Sequence, residues 1–325
     1  MTLTQVAPTT HRRLSRLWTP RTQHLARRAL AQQESDARGD TKPAFELGWD
    51  FARHGLDAPE PLADHPDFLA GLRAGRHHWH TRRTEDRYTR KWLLLRASAL
   101  ARGVPFSAEV TPAYLAEIDA VLCPVTRQPL TRGTGAASDA SVDRINNRCG
   151  YQPGNLVVMS VRANGAKAGM DSIDMLKVVH NLGSLPPGAA FHDLTIHEWA
   201  RLATLTAYAE SQPDFAIETW PLVVQPTPHM QLRSPAWRFK IDLTRQAIAG
   251  DSGGMPPAAV GAFESFAAAV AAARQHALLT ASGLGHDVAC RIAEEDLWRC
   301  AEVNARWAAL LAAIKAARSA QGGRA

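Results

Sequence analysis

The side chains best placed to do chemistry lie between Cys123 and Met170: adjacent Asp143 and Arg144, two asparagines at Asn155 and Asn164, and Lys167. Asp143 and Asn164 offer one carboxylate and one amide oxygen. That set suits a hard divalent cation such as Mg²⁺ or Mn²⁺, which takes one or two protein oxygens and leaves its other positions to water and phosphate. Such an ion polarises a phosphoryl oxygen and stabilises a leaving group. Arg144 cannot serve as a general base, because a guanidinium has no acceptor and stays protonated. It can instead clamp a phosphate through two N–H groups. Cys123 and Cys149 have no CxxC partners, so buried free thiols are the stronger reading and structural zinc is not expected.

Strands, a turn and a helix must bring these groups together. SVDRI and LVVMS are β-branched runs of strand length, and the intervening NNRCGYQPGN is rich in residues that reverse a chain. VRANGAKAGM follows with helical composition, so the stretch predicts a β-hairpin and then a helix. Around this ββα unit the chain is mainly α. The segment 1–40 reads as an Arg-rich arm and linker that resembles an organelle transit peptide in composition, and 41–122 as a helical lead-in. The unit itself occupies 123–170, and 171–325 forms a mostly helical C-terminal domain. Within the lead-in, TPAYLAEIDAVL carries a Thr-Pro helix start and predicts a helix running to Cys123. Further on, AWRFKIDL predicts a strand, and two long Ala-rich helices are expected at about 257–281 and 288–318.

The ordered elements CPxT, S-x-DRI, GYxxGN and N-x-x-K resemble the HNH endonucleases of the ββα-metal superfamily, in a variant common in bacteriophage and mobile-element proteins. The matching residues are Cys123, Pro124, Thr126, Ser141, Asp143, Arg144, Ile145, Gly150, Tyr151, Gly154, Asn155, Asn164 and Lys167. The resemblance implies Asp143 and Asn164 as ligands of one Mg²⁺ or Mn²⁺ ion, with Arg144 as a third catalytic-site residue. It implies Asn155, with Tyr151 and Gly150, as the residues that fix the loop, and Lys167 as a phosphate contact; Arg144 and Arg162 are the further candidate phosphate contacts. The best-known HNH pattern has a histidine base where this chain has Arg144. Another group or a metal-bound hydroxide must then activate water, or the site has kept binding and lost hydrolysis.

Charge agrees with an anionic partner. The first 170 residues hold 24 basic and 16 acidic side chains, net +8, whereas 171–325 holds 13 and 15, net −2. Arg82, Arg83, Arg87, Arg90 and Lys91 are the candidate DNA contacts within the basic stretch 73–102. His77, His78 and His80 alternate in the same stretch and read as solvated side chains rather than metal ligands. The expected function is metal-dependent hydrolysis of DNA phosphodiester bonds, with RNA as another substrate class. The alternative is a catalytically silent nucleic-acid-binding or assembly protein on the same scaffold. A partner protein or second copy would use the C-terminal helices. With four cysteines, no apolar h-region and no run of about 20 apolar residues, a cytoplasmic protein without a membrane partner is expected.

Overall fold

The computed structural model describes residues 43–280 and 285–322, and the basic arm expected at 1–40 lies outside them. The described residues are mainly helical, with twelve α-helices and two small two-stranded antiparallel sheets. Two compact units result. The first holds Glu85 and the described residues before it together with Arg96–Ala101. The second holds Asp86–Leu95 and the described residues from Arg102 onward. The ββα segment and the C-terminal helices therefore share one unit.

The first unit is built on α1 (Pro43–Arg53) and α2 (Pro66–His78). Phe51 and Phe68 are buried between them with ring centroids 5.3 Å apart. Glycines let the two backbones touch: a Cβ on Gly71 would overlap the carbonyl of Phe45, and one on Gly48 the carbonyl of Phe68. Gly71→Ala is expected to cost about 1–3 kcal/mol by forcing the helices apart. Gly165→Ala, in a helix with open space around it, should instead stabilise by roughly 0.5–1 kcal/mol. Urea melts of the two variants check the contrast.

Within the lead-in the sequence reads mainly as helix over 68–103, but the chain makes two helices there, α2 and α3 (Arg87–Ala101), separated by irregular backbone. The next helix, α4 (Pro112–Glu117), starts at the Thr111 cap, whose hydroxyl accepts the Tyr114 N–H. It stops well short of Cys123. The reason is a competing turn: Leu130 donates to the Val121 carbonyl and Cys123 to that of Gln128, which pulls 121–130 into a β-like bridge.

The hairpin consists of β1 (Ala140–Arg144) and β2 (Leu156–Ser160), antiparallel with Asp143 opposite Val157, and α5 (Val161–Lys167) follows directly. Ser160 makes the strand-to-helix joint, its hydroxyl accepting the Ala163 N–H as N-cap. Beyond it come α6 (Ser172–Gly183), the short strands β3 (Ala190–Phe191) and β4 (Leu194–Thr195), and α7 (Ile196–Tyr208). A capping box between Thr195 and Glu198 opens α7, and most of that helix is buried.

The rest is α8 (Asp214–Thr219), α9 (Pro235–Ala249), α10 (Val260–Thr280), α11 (His286–Asp296) and α12 (Ala301–Gly322), with α10 packed on α9, α11 and α12. The strand expected at AWRFKIDL is part of α9. Its buried residues Trp237, Lys240, Ile241, Thr244 and Ala247 recur at three and four residues, and Ser234 with Pro235 starts the helix. The second Ala-rich helix is interrupted at 297–300, where Leu297 and Trp298 turn into the core. Asn304 secures the break by donating to the carbonyls of Trp298 and Cys300, both at 2.9 Å.

Candidate functional site

The loop between the strands is ordered by one side chain. Asn155 accepts the Asn146 N–H at 3.0 Å and donates to the carbonyls of Asn146 (3.1 Å) and Gly150 (2.9 Å), so its amide replaces backbone pairing where the hairpin opens. Gly154 supplies the positive φ of +84° that the turn requires. Gly150 has no room for a Cβ against the carbonyl of Pro105, and Tyr151 stacks on Phe106 at 5.4 Å while its hydroxyl accepts from Arg102 at 2.7 Å. Arg144 turns into this loop, donating to the carbonyls of Asn147 (3.1 Å) and Cys149 (3.0 Å) with its guanidinium 5.4 Å from the Tyr151 ring. Its Nη1 thus serves two loop carbonyls.

Asp143 and Ser141 share the face of β1 that meets α5. Asn164 Nδ2 donates to Ser141 Oγ at 2.8 Å. Lys167, wholly buried, places its ammonium 3.1 Å from Asp143 Oδ2 and donates to the Arg144 carbonyl (3.0 Å) and Asn147 Oδ1 (3.3 Å). Burial pushes the Asp143 carboxyl above the ordinary aspartate range, outweighing the opposing pull of the Lys167 ammonium. Lys167 therefore faces the interior, as the counter-charge of Asp143.

The divalent ion implied by the resemblance can be tested against these donors. Asp143 is the carboxylate in reach, it is 7% exposed, and an ammonium already stands against it. Asn164 adds one amide, whose Nδ2 is engaged with Ser141 Oγ at 2.8 Å. As arranged, these residues do not fit a divalent metal.

The other candidate phosphate contact, Arg162, is committed elsewhere: it pairs with Glu198 at 2.9 Å and donates to the Asp193 carbonyl. Cys123 Sγ accepts the backbone N–H groups of Thr126 (3.4 Å) and Ser160 (3.3 Å). Burial raises its pKa, but the hydrogen bonds from Ser160 and Thr126 outweigh that and leave it lowered. Cys149 Sγ faces Arg233. Arg82 and Arg83 lie exposed in the first unit, whereas Arg87, Arg90 and Lys91 belong to the second. His78 is exposed yet lies against two indoles, tilted at 4.9 Å from the Trp49 ring and edge-on at 4.8 Å from that of Trp79.

Two arginines that sequence reasoning passed over hold the CPxT turn. Arg201 on α7 donates to the Val125 carbonyl at 2.6 Å, and its burial lowers its pKa to about 10. Arg127, at φ +58°, pairs with Glu295 (3.0 Å) and Asp296 (2.9 Å). Partners 168 and 169 residues away leave no local signal, and only the arginine following CPVT was visible. No family model, curated protein or solved structure matches this chain.

Proposed function

We propose that the chain is a DNA-binding protein built on an HNH-like ββα scaffold whose central carboxylate is neutralised from within. The observation that carries this reading is the buried Lys167 ammonium 3.1 Å from Asp143. It supplies the carboxylate with the positive charge that a divalent ion would otherwise bring. Arg144, turned into the loop, supplies no base. The net +8 of the first 170 residues and the exposed Arg82, Arg83 and Arg90 support a polyanionic partner.

A second reading, metal-dependent phosphodiester hydrolysis, is favoured by one observation: Asp143 Oδ2 is buried and makes no aligned hydrogen bond among the described residues. A single experiment separates the two. Supercoiled plasmid is incubated with the full chain in Mg²⁺, Mn²⁺ or EDTA, and duplex binding is followed in parallel. The expected result is binding that survives EDTA and weakens by about tenfold or more between roughly 50 and 200 mM salt, with no cutting in any ion. Nicking that disappears in Asp143→Ala would establish hydrolysis instead.

A further inference from the structure

Side chains alternate across β1, so Ser141 and Asp143 meet α5 while Ala140 and Val142 face the other way. On that second face lies a recess of about 250 Å³, floored by Leu115, Val142 and Val158. Its rim carries Arg87, Arg90, Lys91 and Arg132 against the single carboxylate of Asp119. That carboxylate is shared. Arg87 pairs with it at 2.7 Å and Arg132 at 3.0 Å, and the Tyr88 hydroxyl donates to it at 2.9 Å. The clamp fixes two cations at the rim and leaves the lining with net positive charge.

Lys91 stands outside the clamp. Its ammonium is half-buried and makes no hydrogen bond or ion pair among the described residues, Asp139 acting on it only through space. Burial lowers its pKa, the sign of a charge held out of water without a partner at hand. An anion seated in the recess would offset that desolvation.

We propose that this recess binds a single nucleotide, its phosphate on Lys91 with Arg90 and Arg132 alongside and its base on the Val142–Val158 floor. The volume holds one nucleotide rather than a length of strand. The charge calls for an anion, and the apolar floor calls for a ligand with a planar body attached, which inorganic phosphate lacks. The proposal rests on the DNA-binding reading only for the source of the nucleotide, and it places that contact on the hairpin face opposite Asp143.

The test is calorimetric titration of the full chain with 2′-deoxyadenosine 5′-monophosphate, deoxyadenosine and inorganic phosphate. The nucleotide is expected to bind about tenfold or more tighter than either fragment. Lys91→Met, which removes a charge with no folded-state partner, should weaken it by about tenfold or more. Ala140→Leu, which fills the recess and keeps every cation, should weaken it comparably. Equal affinity for nucleotide and inorganic phosphate, or wild-type affinity in both variants, overturns the proposal. Duplex binding is measured separately: its absence beside intact nucleotide binding would sink the DNA reading and leave the recess assigned.

Discussion

Replacing Lys167 by methionine is expected to lower the stability of the second unit by about 3–5 kcal/mol, because it strands a buried carboxylate without its counter-charge. Asp143 is 7% exposed and Lys167 wholly buried, so water cannot take over the lost partner. The substitution also deprives the Arg144 carbonyl of its 3.0 Å donor. Removing both charges should be far milder. In Asp143→Leu/Lys167→Met the buried ion pair becomes an apolar contact, and the double variant is expected to recover most of the loss in urea melts. The pH dependence has a definite sign. Burial holds the Asp143 carboxyl above its unfolded value, so its ionisation disfavours the fold as pH rises through the folded value. Without Lys167 that value climbs further, and the deficit of Lys167→Met should shrink as pH falls toward the carboxylate range. A single variant as stable as the wild type, or losses that simply add in the double variant, would show that the two charges do not depend on each other.

The same pair marks the boundary of what the sequence makes legible. The hairpin and its helix follow from local signals: β-branched runs at 141–145 and 156–160, a Gly- and Asn-rich turn, and the helical composition that follows. Such signals act within a few residues, so they survive translation into structure. The direction of Lys167 depends on which face of α5 docks against β1, and only the assembled unit decides that. Arg162 was equally opaque, since its partner Glu198 lies 36 residues on. The AWRFKIDL segment failed for another reason. Apolar and polar residues alternate there as in a strand, while the same residues also fit a helical face, and packing of Trp237 against Tyr208 at 4.7 Å and Trp220 at 6.0 Å decides for the helix. The recess beside Lys91 combines α3, α4 and both strands, so composition showed a basic stretch but no pocket.

Lys240 is the second place where one side chain governs a large effect. It sits 1% exposed in the C-terminal helices and donates to the carbonyls of Ile217 (3.2 Å), Glu218 (3.0 Å) and Trp220 (2.5 Å), closing the end of α8. Its ammonium also lies 4.4 Å from the centre of the Trp298 ring and 5.0 Å from that of Trp307. In Lys240→Met the Glu218 carbonyl keeps the Trp307 indole N–H and the Ile217 carbonyl keeps the Trp220 N–H. The Trp220 carbonyl loses the donor it has here, so the loss at neutral pH is expected to be about 1–3 kcal/mol. Burial lowers the lysine pKa to about 7 from 10.5. Between those values the unfolded chain binds a proton that the folded chain has released, so stability rises with pH across that window and is lowest below pH 7. The gap between wild type and Lys240→Met should therefore widen by a few kcal/mol from pH 7 toward 10, read in paired urea melts. The carbonyls and indole faces oppose this by favouring the ammonium. A gap that stays constant with pH would mean that they outweigh burial and that Lys240 keeps its charge throughout.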